Sequence, residues 1–292
     1  VRGAKPERAI AAIVDEQLDL QPGSTVVVAC SGGPDSVALA ELAAAAAQRR
    51  SARAVLAHVN HGLRPSSDQD EFVVVSIATR LGCAVRVARV APERSDEAHL
   101  RELRYAALVE IARACGAGAI VTAHTAEDQT ETVLLALFRG TGLEGIAGMQ
   151  PRRALVPGID LVRPLLRVTH EQLRAEILRE ALPYALDPSN EETRYRRNAL
   201  RAALAELRRE FPALDASVAR CSEIVRDELA GSRTAQRRRA IRERLRGAGE
   251  LADVPFERIE AAVRAFGNPK ARVFVKPGVE LSGDAILKGP GH

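Results

Sequence analysis

Four short apolar runs, at 25–29, 53–59, 84–90 and 118–123, are rich in Val or Ala. Between and after them lie longer amphipathic or alanine-rich stretches, at about 35–49, 68–81, 97–115 and 127–138. The short runs read as strands and the longer stretches as helices. Their alternation predicts an α/β fold, a doubly wound parallel sheet covered by helices on both faces. A further strand through 159–163 and a helix near 169–181, capped by Thr169, extend the pattern. Pro183 and the turn-forming Asp187-Pro188-Ser189-Asn190 then break it. From about 193 to 246 the pattern is helical, divided at Pro212 and Gly231, and a short helix fits 255–266. The tail reads as a β-hairpin, with Arg272–Val275 and Val279–Leu281 joined through Pro277-Gly278. The expected division is a larger domain over 1–208 and a smaller, mainly helical one over 209–292.

Composition narrows the class without naming a chemistry. With 46% hydrophobic and 27% charged residues over 292 positions, the chain is an ordinary globular one. No apolar run approaches a membrane span and the first residues lack an export pattern, so no membrane partner is expected and the cytoplasm is the expected compartment. Cys30, Cys83, Cys115 and Cys221 are scattered, without the spacing of a zinc site or a disulfide framework. The net charge of +4 is unevenly spread: Arg194 to Arg246 holds fifteen Arg, no Lys and seven acidic residues, a net +8. A basic segment joined to a slightly acidic one suits a polyanion such as RNA. Arg outnumbers Lys 38 to 4 throughout, so genome composition and a solvated helix face explain the same excess.

The run Cys30-Ser31-Gly32-Gly33-Pro34-Asp35-Ser36 carries the first chemical signal. It joins the first strand to the first alanine-rich helix. Gly32 and Gly33 lack a Cβ, so backbone N–H groups can come close to a phosphate, and the helix N-terminus adds donors and positive potential. Ser31 and Ser36 add hydroxyls, while Pro34 suits the first helical turn. Asp35 is the odd member: a carboxylate beside phosphates needs a bridging cation, which points to Mg²⁺ and a nucleotide. No Lys follows the glycines, so this is not a Walker A loop, and the glycine spacing is not that of a dinucleotide fold.

Two other polar clusters follow strands, where ligands bind at the carboxyl edge of an open parallel sheet. His58-Val59-Asn60-His61-Gly62-Leu63-Arg64 follows the second and Thr122–Glu131 the fourth. His124, Asp128 and Glu131 are spaced to share one helix face or its first turn. They read as Mg²⁺ ligands with Asp35 or as a general base, against a competing reading as a helix cap opened by Thr125. His58 and His61 read more simply as structural loop residues. Arg101-Glu102-Leu103-Arg104-Tyr105 reads as a solvated helix face or as a cation for phosphate.

Taken together, Ser31–Ser36, His58–Arg64, Arg101–Tyr105, Thr122–Gly142, Arg163-Pro164-Leu165-Leu166 and Asp187–Arg201 resemble, in order and spacing, the bacterial tRNA(Ile)-lysidine synthases of the PP-loop ATPase superfamily. The resemblance implies a PP-loop, adenine nucleotide α-hydrolase-like catalytic domain that binds ATP, and a smaller tRNA-contacting domain. It implies ATP and Mg²⁺ as cofactors, tRNA(Ile) with a CAU anticodon and free lysine as partners, and an assembly that could be a homodimer. In the implied scheme Ser31, Gly32, Gly33, Pro34, Asp35 and Ser36 form the ATP loop, and Asp35 and Asp128 place Mg²⁺. Glu131, with His124 second, binds or deprotonates lysine, and Arg104 and Arg197 offset charge in an adenylated intermediate. A PP-loop tRNA sulfur transferase, a small-molecule amide ligase and a non-catalytic nucleotide-binding module remain as alternatives; missing Cys-x-x-Cys pairs weigh against the first.

Overall fold

The computed structural model describes residues 6–62, 67–94, 96–185, 196–252, 254–266, 268, 270–282 and 285–288. Leu63, Arg64, the Asp187–Asn190 turn and Arg194, named above, lie outside the described residues.

In chain order the elements begin α1 (Pro6–Leu18), β1 (Thr25–Ala29), α2 (Pro34–Arg49), β2 (Arg53–Asn60), α3 (Ser67–Leu81), β3 (Ala84–Arg89), α4 (Glu97–Cys115), β4 (Ala119–Val121) and α5 (Ala126–Phe138). They continue α6 (Leu143–Ile146), β5 (Arg152–Val156), β6 (Ile159–Val162), α7 (His170–Glu180), α8 (Arg196–Glu210) and α9 (Leu214–Leu229). The last are α10 (Arg233–Gly247), α11 (Phe256–Ala265), β7 (Arg272–Lys276), β8 (Val279–Ser282) and β9 (Ala285–Lys288). Two compact units result: residues 1–140 with 148–219, and residues 141–147 with 220–292.

The first unit is built on a six-stranded sheet of order β3-β2-β1-β4-β6-β5. All neighbours are parallel except β5, which runs antiparallel to β6 at the edge. Strands of this kind are covered on both faces, and β1 illustrates why its sequence is uniformly apolar. Val26 and Val28 turn to one face, packing with Val37, Leu39 and Ala43 of α2, Val14 of α1, Ile77 of α3 and Leu173 of α7. Val27 turns to the other, packing with Leu108 and Ile111 of α4. The period of two in the strand therefore feeds two separate cores. Alanines at 38, 40, 43, 46 and 47 of α2 are buried, which lets that helix lie close to the sheet. The reversal of strand order occurs between β1 and β4, both of whose neighbouring crossovers leave a crevice at their carboxyl ends.

The second unit has its own apolar core, from Ile241 and Leu245 of α10, Ile259 and Val263 of α11, and Val275, Val279 and Leu281 of a sheet. The buried Arg238 is paired with Glu260 at 2.6 Å and with Asp227 and Glu228 at 3.6 and 3.5 Å. The tail expected as a hairpin is a three-stranded antiparallel sheet, β7-β8-β9. Its third strand, Ala285-Ile286-Leu287-Lys288, is too short to stand out by alternation.

Candidate active site

The loop after β1 is held by its own serines. Ser36 Oγ donates to the Gly33 carbonyl at 2.8 Å and accepts from the Ser31 N–H at 3.1 Å. Gly32 sits at φ +90°, and a Cβ there would lie 3.3 Å from the Asp70 carbonyl oxygen, so both conformation and space call for glycine. Gly33 has ordinary extended dihedrals and serves as N-cap of α2, with Pro34 at the first helical position. Cys30, beside the loop, is buried and burial pushes its thiol pKa up. His58 is buried as well, with Nδ1 2.9 Å from the Cys30 carbonyl, where it braces the loop from β2.

Asp35 does not stand alone. Its Oδ2 is 2.9 Å from Nδ1 of His170, the first residue of α7. The His170 N–H donates to Glu127 Oε1 at 3.0 Å, and its Nε2 is 4.0 Å from Glu127 Oε2. Burial would lower the His170 pKa, but the bond and charge of Asp35, with Glu127 and Asp128 behind, raise it instead. His170 stands at that point because Thr169 caps α7 in a reciprocal box with Gln172, and because the Ala126 N–H reaches the Val168 carbonyl at 3.0 Å.

At the carboxyl end of β4 the predicted cap and the predicted acids turn out to be the same residues. Thr125 is the N-cap of α5, its hydroxyl accepting from the Asp128 N–H and its own N–H donating to Asp128 Oδ2 at 3.1 Å. Oδ1 of Asp128 takes Arg197 Nη2 at 3.3 Å. Burial would raise the Asp128 pKa; His124, Arg197 and the Thr125 N–H outweigh it and hold it low. Burial drives the His124 pKa down to about 3, with Arg163, Arg101 and Arg197 adding to the fall. Its Nδ1 lies 2.9 Å from the Thr122 hydroxyl.

Glu131, three residues on, has no exposed surface. Arg197 Nε donates to Oε2 at 2.8 Å, Arg201 Nε to Oε1 at 2.8 Å and Arg201 Nη2 to Oε2 at 3.0 Å. Residues four apart on α8 thus clasp residues three apart on α5. Arg201 has its pKa raised by that bond and by the charges of Glu131, Asp128 and Asp35. The loop acid and the α5 acids therefore share one electrostatic neighbourhood.

Arg104 lies elsewhere on the edge, beside His61, whose pKa is lowered by burial and then by the Arg104 charge. Both ring nitrogens of His61 are buried without a hydrogen-bond partner. Arg101 stacks over the Tyr105 ring, 5.4 Å from its centre, and Tyr105 bonds the buried Arg163. Thus His124, Asp128, Glu131 and Arg197 come together, Asp35 joins them through His170, and Arg104 pairs with the β2 cluster. Three participants were not picked out individually from the sequence: His170, and Glu127 and Arg201, which lay within flagged stretches without a role.

Among the described residues no group of three or more His, Cys, Asp or Glu is set to hold a metal ion. The carboxylates nearest the loop with capacity to spare are Asp35 and Glu127. Glu127 Oε2 is buried without a hydrogen-bond partner, near the His170 ring that Asp35 also touches. Mg²⁺ is held by one or two carboxylates plus water and phosphate oxygens, which Asp35 and Glu127 suit. Asp128, whose oxygens face Thr125 and Arg197, has less to offer a cation in this arrangement.

The PP-loop domain family model matches residues 4–207. The tRNA(Ile)-lysidine synthase of Thermus thermophilus is 42% identical over 227 residues, 75% of this chain and 43% of that protein. That of Ralstonia nicotianae is 44% identical over 204 residues, covering 67% and 43%. That of Salinispora arenicola is 45% identical over 204 residues, covering 68% and 61%. The chain spans about half the length of these relatives. Among solved structures, the U34-tRNA thiolase NcsA of Methanococcus maripaludis superposes with a TM-score of 0.64 at 15% identity, over 74% of this chain and 77% of that one. At that identity the likeness is one of fold.

Proposed function

Because this chain belongs to the PP-loop domain family, we propose that it uses ATP to join lysine to the C2 carbon of the wobble cytidine of tRNA(Ile) with a CAU anticodon, giving lysidine. The observation that carries the reading is the meeting of the Ser31–Ser36 loop with the Asp128–Glu131 acids and the Arg197–Arg201 pair at one edge of the sheet. The 42% identity with the Thermus enzyme supports it independently.

In this mechanism the C2 oxygen of cytidine attacks the α-phosphorus of ATP. The new O–P bond forms as the α–β anhydride breaks and pyrophosphate leaves. The lysine ε-amine then attacks C2, gives up a proton, and the C2–O bond breaks with AMP as leaving group. The order is chemically sensible, since a urea-like oxygen leaves poorly and AMP leaves well. The Gly32 and Gly33 backbone and the Ser31 and Ser36 hydroxyls receive the departing phosphates. Asp35 with Glu127 would hold Mg²⁺, which would offset phosphate charge. Arg197 faces the negative charge of the adenylated base, and Arg104 does so from the β2 side. At pH 7 only about 0.04% of a free lysine ε-amine is neutral, so a nearby proton acceptor matters. In this reading Asp128 takes that proton, Glu131 holds the two arginines, and His124, whose pKa burial drives down to about 3, is the weaker acceptor.

A sulfur-transfer chemistry on this fold fits less well: Cys30, the one thiol beside the loop, is buried and its thiolate is disfavoured. The reading is tested with labelled lysine, ATP and tRNA transcripts that carry or lack a wobble cytidine. Incorporation is expected only when lysine, ATP and the cytidine transcript are all present. ATP turnover that leaves the labelled lysine free sinks it.

A further inference from the structure

Among the described residues His170 touches both Asp35 and Glu127, and it lies 135 positions from Asp35 in sequence. The contacts are of two kinds. The ring reaches Asp35 through Nδ1 at 2.9 Å, while the peptide N–H reaches Glu127 at 3.0 Å. The backbone contact fixes where the side chain starts, because Thr169 and Gln172 fix the first turn of α7 and Val168 is tied to Ala126. The ring reaches Asp35 from that anchored main chain. Asp35 has a short side chain at the start of α2 that, without a partner, would sample several rotamers. Two carboxylates at this edge also repel each other, and an imidazole between them reduces that cost.

We propose that His170 is a positioning residue for the ATP half of the reaction: it holds the Asp35 carboxylate in the rotamer that receives the cation-bound triphosphate. The inference rests on the ATP-using reading above. It assigns His170 no contact with tRNA or lysine. Its effect on ATP passes through Asp35, so it disappears when Asp35 is gone. A residue that merely supported the fold would weaken binding in either background.

The test is a double-mutant cycle read by calorimetric titration of ATP with MgCl₂, with thermal melting of each protein alongside. His170→Ala is expected to weaken ATP binding by about tenfold, one charge-assisted bond's worth. His170→Asn, whose amide nitrogen can stand where Nδ1 stands, should bind within about threefold of the parent. In an Asp35→Ala background, His170→Ala should change affinity by less than about twofold. Transcript affinity by filter binding should be the same in all four proteins. Equal ATP binding by the parent and His170→Ala overturns the inference, as does the same loss in both backgrounds. If His170→Ala does not fold, His170→Asn decides: near-parental binding supports the inference and a tenfold loss overturns it. Failure of the parent itself to bind ATP sinks the reading on which the inference rests, and is told apart by that first titration.

Discussion

Arg201 meets Glu131 at both carboxylate oxygens, with Nε 2.8 Å from Oε1 and Nη2 3.0 Å from Oε2, and Glu131 has no surface in contact with solvent. Arg197 completes the shell at 2.8 Å. A carboxylate so occupied is a fastener between α5 and α8. Removing it leaves Asp128 to face both guanidinium groups, and with Arg201 partly exposed the cost should sit at the low end of the about 3–5 kcal/mol for breaking a buried pair. Glu131→Ala should therefore lower the urea midpoint sharply. His124→Ala should spare the midpoint by comparison and slow lysine incorporation more than pyrophosphate release. Equal midpoints for Glu131→Ala and the parent contradict the fastener.

Gly32 is expected to tolerate no side chain. At φ +90°, with the Asp70 carbonyl 3.3 Å from a built Cβ, Gly32→Ala faces a conformational penalty of about 1–2 kcal/mol and a contact with backbone that cannot swing away. Melting temperature should fall modestly and ATP affinity strongly. Gly33→Ala, at ordinary dihedrals and with its nearest neighbour the Ser31 hydroxyl at 3.5 Å, should cost less stability.

Asp35→Ala separates chemistry from folding. Asp35 is in the first turn of α2 and among the described residues bonds an already braced His170, so the melting temperature should stay close to the parent. Pyrophosphate release in the presence of tRNA should fall to background. Normal release by this variant contradicts the assigned role of the loop acid.

Glu41 provides a pH signature away from the chemistry. On α2, it faces Glu176, Glu180 and Arg179 of α7, and burial followed by the two like charges raises its pKa from 4.5 to about 7. Its Oε2 is buried without a partner, as suits a carboxyl that keeps its proton. The folded state thus holds a proton that the unfolded chain has released between those two values. This group's contribution consequently becomes less favourable as pH climbs from 4.5 to about 7, and is level above. Glu41→Gln should stabilise the protein at pH 8, by about 1 kcal/mol after allowance for partial solvent screening, and change little at pH 4. Melts at the two pH values check the sign.

The second unit should contribute salt-sensitive affinity for tRNA. Arg242 and Arg246, one turn apart on α10, are both exposed. Replacing them with Gln should weaken transcript binding, and each lost phosphate contact should flatten the log–log salt dependence by about 0.7 to 0.9. An unchanged slope assigns these arginines to a solvated face.

The sheet was legible because β1, β2, β4 and β6 are buried on both sides and spell this out as apolar runs. The loop was legible because its glycines and Asp35 are adjacent in sequence. The antiparallel edge strand β5, Arg152–Val156, was not, since its arginines read as loop. Helix α1 carries Ile10, Val14 and Leu18 at fourfold spacing and had the pattern of a packed helix, but no motif drew attention to it. At Asp128 the sequence offered cap and chemistry as alternatives, whereas its carboxylate caps α5 and also meets Arg197. His170 could not have been read locally. Thr169 announced a helix start, but only the packing of α7 along α2 brings that start to Asp35.

The double engagement of Asp128 has a thermodynamic corollary. Its Oδ2 is the acceptor that keeps the Thr125 amide from water, so any proton or ammonium that binds this oxygen competes with the end of α5. Occupancy of the site and fraying of that helix end are then linked equilibria. The amide of Thr125 becomes a natural reporter: its hydrogen-exchange rate should rise as lysine saturates the protein, in proportion to the share of Asp128 drawn away.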